Sequence, residues 1–232
     1  MVNILSYGGG VNSTALLFLL IDLRLPLNEV VFADTGAELP DTYQYIKQKI
    51  YPFCENNKIK FTVVRNKESI YDWYYKHRKI PTWKTRSCTD LFKIRPIRRY
   101  LKRKYKNNIV LYIGISYDEK HRAKESDVSY IKNKFPLVEL KIDRKKCEEI
   151  ILSHGFEVPV KSGCYFCPFQ PEWRWLYLKF KYPKLFKLAM KLEENGSAFP
   201  KLTLSRKGIL RRYIKQKSLN EAFKGVMKDD RV

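Results

Sequence analysis

Nine residues near the start of the chain, Ser6-Tyr7-Gly8-Gly9-Gly10-Val11-Asn12-Ser13-Thr14, have the types and spacing to hold a phosphate group. They follow the apolar stretch Met1-Val2-Asn3-Ile4-Leu5 and precede Ala15-Leu16-Leu17-Phe18-Leu19-Leu20, an order that reads as strand, glycine turn, helix. Three consecutive glycines remove every Cβ from the turn, so its backbone can take positive φ and approach a ligand closely. Ser13 and Thr14 then sit where a helix begins, and its unpaired N–H groups and dipole favour an anion. A Walker loop would need Gly-Lys-Ser/Thr after its glycines, and no lysine is present. A Rossmann fingerprint would spread its glycines as G-x-G-x-x-G, which Val11, Asn12 and Ser13 break.

The cysteines are the second chemical signal. Cys164-Tyr165-Phe166-Cys167-Pro168 places two thiols across one turn, a spacing that lets both sulfurs face a single metal or cluster. Taken alone it allows zinc, an iron–sulfur cluster, a thiol redox pair, or a turn without a ligand. A complete site needs more ligands, and Cys88 and Cys147 are the candidates. Cys88 stands in Arg86-Ser87-Cys88-Thr89, beside a basic group that lowers a thiol pKa. Cys54 falls on the apolar pattern of a helix and reads as core. His77, His121 and His154 are scattered and read as surface residues.

These residues must be positioned by an α/β framework. Val2–Leu5, Glu29–Ala33, Lys60–Val64 and Val110–Ile115 read as strands, and Thr14–Leu23, Asp41–Asn56 and Ile94–Tyr105 as helices. The alternation predicts a Rossmann-like parallel sheet with helices on both faces, whose ligands sit beyond the carboxyl ends of the strands. Two further loops therefore bear on the site. One carries Asp34-Thr35-Gly36, and the other Gly114-Ile115-Ser116-Tyr117-Asp118-Glu119-Lys120-His121-Arg122. Gly114 would let a purine or phosphate lie against the backbone, and Arg122 would pair with a phosphate. The composition shifts near Val158-Pro159, which divides residues 1–159, a nucleotide-binding α/β domain, from residues 160–232, a helical and basic C-terminal appendage carrying the Cys-x-x-Cys turn.

The chain has 232 residues with 46 Lys and Arg against 24 Asp and Glu, a formal charge of +22, and that excess points to a polyanionic partner, nucleic acid foremost. Arg95, Arg98, Arg99, Lys102, Arg103 and Lys104 fall on one helical pattern, and Lys201, Arg206, Lys207, Arg211, Arg212, Lys215 and Lys217 form a second basic segment. The apolar stretch from Ala15 to Leu25 is interrupted by Asp22 and Arg24 and is too short to span a bilayer. A cytoplasmic protein with no membrane partner is expected, and five cysteines in a reducing compartment point to metal or catalysis before disulfides.

The glycine string resembles the PP-loop of ATP pyrophosphatases, usually Ser-Gly-Gly-x-Asp-Ser, with Gly8 where that motif has serine and Asn12 where it has aspartate. The whole pattern resembles the phosphoadenosine-phosphosulfate reductase family, in its iron–sulfur branch, from Ile4 to about Trp175. The resemblance rests on Tyr7–Thr14, on Asp34-Thr35-Gly36, and on Arg86-Ser87-Cys88-Thr89 with Lys93-Ile94-Arg95-Pro96-Ile97. It continues through Gly114–Glu119 with Arg122, Phe135-Pro136-Leu137-Val138-Glu139, Arg144 with Cys147, and Lys161–Phe169. It implies an adenine nucleotide, ATP with Mg, held by Ser6, Tyr7, Gly8, Gly9, Gly10, Asn12, Ser13, Thr14, Asp34, Thr35, Gly36, Gly114 and Ile115. It also implies a [4Fe–4S] cluster, or alternatively zinc, on Cys88, Cys147, Cys164 and Cys167. Asn12, Ser13, Arg86, Lys93 and Arg122 would carry the chemistry at the phosphates.

The activity implied is ATP-dependent, pyrophosphate-releasing sulfur transfer onto nucleic acid, tRNA or DNA, with a sulfur donor protein as a further partner. A sulfonucleotide reductase and a non-catalytic nucleotide- and nucleic-acid-binding protein are the alternatives. Sulfonucleotide reductases carry a catalytic cysteine in a Glu-Cys-Gly-Leu-His tail, whereas this sequence has no cysteine after Cys167.

Overall fold

Five parallel strands in the order β3-β2-β1-β4-β5 form the sheet of a Rossmann-like α/β fold. They are β1 (Val2–Tyr7), β2 (Glu29–Asp34), β3 (Lys60–Arg65), β4 (Ile109–Ile113) and β5 (Ile131–Lys134). The computed structural model describes residues 1–82, 87–196, 203, 204 and 210; Arg86 and the basic residues of the 201–217 segment lie outside them. By internal contacts the chain divides into two units, Met1–Asn66 with Leu91–Ser162, and Lys67–Asp90 with Gly163–Val232.

In the first unit, alternation along the strands sorts side chains to two faces. Leu5, Tyr7, Val30, Phe32, Val110 and Tyr112 pack with α1 (Val11–Asp22) and with Cys147 and Ile151 of α8 (Arg144–Ser153). Ile4, Val31, Ala33, Ile109, Leu111 and Ile131 pack instead with Ile97 and Leu101 of α6 (Arg95–Tyr105). Both faces are therefore covered, as a parallel sheet requires. The short α7 (Pro136–Glu139) follows β5 and adds Leu137 to the α1 side.

Among the described residues, two helices are widened by π turns, and both widenings precede a proline. α2 (Pro40–Tyr45) passes through a π segment, Ile46–Ile50, into α3 (Tyr51–Asn56), whose second residue is Pro52. Asp90–Ile94 is likewise π, linking the one-turn α5 (Ser87–Thr89) to α6, whose second residue is Pro96. Proline lacks an N–H and its ring crowds the carbonyl four residues back; the wider turn removes that crowding without ending the helix.

In the second unit, α4 (Ile70–Lys76) is capped by Ser69, whose hydroxyl accepts from the Asp72 N–H at 3.1 Å. Within the appendage expected to be helical and basic lie two helices, α9 (Glu172–Lys181) and α10 (Pro183–Asn195). The break falls where Pro183 forces Tyr182 out of helical geometry (φ −130°, ψ 62°). The carboxylate of Glu193 on α10 is buried and accepts from the backbone N–H groups of Leu204 and Leu210, each at 2.7 Å.

At the start of β2, the fully buried Glu29 carboxylate accepts from Tyr100 at 2.6 Å, from Lys104 at 2.8 Å, and from Thr62 and Tyr105. Burial alone would raise its pKa; the four donors outweigh it and hold the group below the ordinary carboxylate value. Because the folded-state pKa lies below the unfolded one, the stability from Glu29 is present above about pH 4.3 and is lost as pH falls through the folded value. Glu29→Gln should cost about 3 kcal/mol at pH 7. In urea melts from pH 7 to pH 3 the difference between the variant and wild type should shrink on the acid side.

Candidate phosphate-binding site

The glycine loop leaves the carboxyl end of the central strand β1, between the ends of β2 and β4, where open parallel sheets bind ligands. Gly10 is the N-cap of α1 in extended geometry (φ −116°, ψ 179°), no side chain caps the helix, and no acidic residue occupies its first turn. The hydroxyls nearby are turned inward. Ser13 donates to the Gly10 carbonyl at 3.0 Å and accepts from the Gly8 N–H at 3.1 Å. Thr14 donates to the same carbonyl at 2.9 Å and lies 2.9 Å from the Tyr7 hydroxyl. Serine and threonine thus fix the loop's shape while the first-turn N–H groups of α1 have no intrahelical acceptor. Such a terminus suits an anion.

Each glycine of the site answers to a different neighbour. Gly9 takes φ +74°, and a Cβ there would lie 2.7 Å from the Thr42 methyl of α2. At Gly10 a Cβ would meet the Ser162 hydroxyl at 2.6 Å. Gly114, after β4, is the tightest against backbone: its Cβ would fall 2.8 Å from the Ser13 nitrogen and 2.9 Å from the Ser13 Cα. The sequence reading placed a ligand against Gly114; the side a Cβ would take is occupied by the turn of α1 itself. Gly8 alone among these has room, with its nearest neighbour at 3.8 Å.

The other expected residues fall around this loop with distinct roles. Ser6 and Tyr7 end β1, and the Tyr7 ring is core, packed edge-on against Phe32 and Phe61 with burial pushing its phenol pKa up. Asp34 accepts from the Gly36 N–H at 2.8 Å and the Tyr43 hydroxyl at 2.6 Å, and pairs with Arg65. Thr35 accepts from the Ala37 N–H at 3.3 Å. Gly36 has φ +74°, so the Asp-Thr-Gly string is a self-bonded turn leading into α2. Ile115 is buried, its N–H on the Ile113 carbonyl at 2.9 Å. Lys93 pairs with the buried Glu38 carboxylate at 2.9 Å.

Arg122 pairs with Glu119 in the 3-10 turn Tyr117–Arg122. Asn12 is bonded to Ser116, Glu119 and Arg144. Glu119 and Arg144 were visible in the sequence only as parts of a motif; nothing in their spacing assigned them to Asn12. Thr42 escaped the sequence reading altogether. Its hydroxyl oxygen is buried without a hydrogen-bond partner among the described residues, and its methyl packs against Gly9. A glycine loop with room at Gly8 and an uncapped helix terminus behind it together fit a phosphate group.

The cysteines divide between the units. Cys88 and Cys164 both act on Tyr74 in the second unit: burial first, then the Cys88 sulfur, push its phenol pKa up, and Cys164 adds to the effect. The Cys167 N–H bonds the Cys164 carbonyl at 2.9 Å, closing the Cys-x-x-Cys turn. Tyr71 and Phe166 pack beside this turn. Cys147, the expected fourth ligand, lies instead in the core of the first unit at 0% exposure, with burial pushing its thiol up to about 12. It is a protonated core thiol, as is Cys54. Among the described residues, no group of three or more His, Cys, Asp and Glu is placed to hold a metal ion. A four-thiolate centre therefore does not fit the side chains as they stand.

Residues 2–144 match the family described as "Phosphoadenosine phosphosulfate reductase domain". Two uncharacterized proteins of Methanocaldococcus jannaschii are 29% and 23% identical over 196 residues, 78% of this chain. The chain spans less than half the length of these relatives, 45% and 39%. Among solved structures, it is similar to phosphoadenylyl-sulfate reductase from Candida auris in a phosphate complex, with a TM-score of 0.49 and 15% identity over 68% of this chain and 76% of that one. It is also similar to the U34-tRNA thiolase NcsA from Methanococcus maripaludis with its [4Fe-4S] cluster, with a TM-score of 0.47 and 15% identity over 87% and 73%.

The glycine environments set an order of tolerance. Gly114→Ala, which meets immovable backbone, should lose about 1–3 kcal/mol of stability and most nucleotide affinity. Gly8→Ala should keep both. Thermal melts with and without ATP check the pair, and equal behaviour would contradict the packing described.

Proposed function

The chain belongs to the phosphoadenosine phosphosulfate reductase domain family, and from that premise we propose that it binds ATP at the α1 terminus and transfers sulfur to nucleic acid. The observation that carries this reading is the uncapped α1 N-terminus behind Gly8-Gly9-Gly10, with Gly114 packed against its first turn. ATP supplies an α-phosphate, brought as its Mg complex. A substrate oxygen attacks that phosphorus, the α–β bond breaks, and pyrophosphate leaves. The oxygen, poor as a leaving group before, then departs with AMP when a sulfur nucleophile attacks its carbon.

In this scheme the first-turn N–H groups of α1 hold the pyrophosphate end, where charge grows as the bond breaks. Lys93 and Arg122, already held by Glu38 and Glu119, stand ready to neutralise that charge, and Arg86 is proposed to join them. Cys88, Cys164 and Cys167 are the thiols proposed to serve the sulfur side, as ligands of a cluster or metal that their side chains must close upon. Iron and sulfide assays of anaerobically purified protein test this: Cys164→Ala should lose bound metal, and Cys147→Ala should retain it.

The nucleic-acid substrate is supported by α6. Arg95, Arg99, Lys102 and Arg103 recur at helical spacing within an arc of about 100° and along about 12 Å of axis. All four are exposed, whereas Ile97 and Leu101 on the other side are buried. A row of cations along one exposed face matches a sugar–phosphate backbone and carries the salt dependence of such contacts.

Two measurements test the reading. Protein, ATP, sulfide and either tRNA or DNA should yield sulfur-containing nucleosides by mass spectrometry after digestion. Formation of sulfite from phosphoadenosine phosphosulfate instead would favour a sulfonucleotide reductase. In binding titrations, Arg99→Gln with Lys102→Gln and Arg103→Gln should lower the salt slope of nucleic-acid binding by about 2–3. Lys47→Gln, Lys49→Gln and Lys58→Gln together, on and just after the α2–α3 segment, should change it little.

A further inference from the structure

Asn12, in the first turn of α1, is bonded at both ends of its carboxamide. Its Oδ1 accepts from the Arg144 guanidinium at 3.3 Å, and its Nδ2 donates to the Ser116 hydroxyl at 3.0 Å and to the Glu119 carboxylate at 3.3 Å. Glu119 in turn pairs with Arg122. Arg144 is held from behind by Glu148 at 3.1 Å, and its own backbone N–H sits on the Asp118 carboxylate at 3.0 Å. A continuous chain thus runs Glu148–Arg144–Asn12–Glu119–Arg122 across the mouth of the phosphate loop, linking α8, α1 and the turn after β4.

The carboxamide suits this place for a chemical reason. One end must accept from a guanidinium and the other must donate to a carboxylate, and a side chain of this length does both only as an amide. An aspartate at position 12 would satisfy Arg144 but set two carboxylates face to face at hydrogen-bond distance, where like charges disfavour joint ionisation. Conversely, Glu119→Gln would free position 12 to carry the charge. A carboxylate at position 12 would accept from the new carboxamide at position 119, whose oxygen would still accept from Arg122.

We infer that the single negative charge between Arg144 and Arg122 at the loop mouth is carried by Glu119 in this chain, with Asn12 as the neutral residue that positions it. This explains why the motif's usual aspartate is absent, and it rests on the reading that the loop binds nucleotide phosphates. Positions 12 and 119 are then one electrostatic unit, and its charge can be exchanged between them without loss of any hydrogen bond within the pair. A second charge in the unit repels the incoming phosphates and unsettles both arginines.

The test is an exchange series measured by calorimetric titration with ATP. Asn12→Asp should weaken ATP binding tenfold or more at pH 8. It should recover toward pH 5.5, as one of the two facing carboxylates takes up a proton. The double variant Asn12→Asp with Glu119→Gln should return to within about threefold of wild type and lose that pH dependence. A double variant no better than Asn12→Asp, or an Asn12→Asp protein that binds like wild type at pH 8, overturns the inference. Wild type that binds no ATP removes the phosphate-loop reading and this inference with it, whereas tight wild-type binding without coupling removes the inference alone.

Discussion

Everything around the site follows from one constraint: the first-turn N–H groups of α1 are kept without a side-chain cap. In most helices a Ser, Thr, Asp or Asn at the N-cap meets this need. Here the cap position is Gly10, and the hydroxyls of Ser13 and Thr14 are spent inside the loop on the Gly10 carbonyl. The helix dipole is therefore left to an outside anion. Holding such a terminus steady requires support from every side, and the structure supplies it through close contacts. Gly114 lets the turn after β4 rest on the backbone of Ser13, and Gly9 lets α2 approach through Thr42.

The charges of the first unit are ordered along the strands. At the amino end of β2, the buried Glu29 carboxylate gathers Lys104 and three hydroxyls into a cluster that anchors α6 to the sheet. Beyond the carboxyl ends, carboxylates meet cations one pair at a time: Asp34 with Arg65, Glu38 with Lys93, Glu119 with Arg122. The first cluster is structural; in the proposed function Lys93 and Arg122 are the cations that would meet a polyphosphate. The basic residues on the exposed face of α6 are turned outward, where a large positive excess favours association with a polyanion rather than stability of the fold.

The sheet and the loop were readable because their signals are local. β1, β2, β3 and β4 are runs of branched residues at the expected places, and the glycine turn announces the start of α1. β5 escaped because Ile131-Lys132-Asn133-Lys134 is a short edge strand with a single buried residue, too little pattern to mark it. α8 escaped because its sequence, Arg144-Lys145-Lys146-Cys147-Glu148-Glu149, reads as a charged stretch, and only Cys147 and Ile151 are buried. Cys147, a candidate ligand by its residue type, shares that charged stretch, but its basic neighbours lie on the solvent side of the helix while its thiol is buried in the core. The partners of Asn12 were hidden because they lie 104, 107 and 132 residues away, a separation that no spacing rule spans.

The central claim is that this loop holds ATP for cleavage between its α and β phosphates. Product analysis by phosphorus-31 NMR, with Mg, ATP, sulfide and nucleic acid present, tests it most directly. The account predicts AMP and pyrophosphate in equal amounts, formed by wild type and not by Gly114→Ala. Formation of ADP and inorganic phosphate, or ATP left intact beside tightly bound nucleic acid, would contradict it.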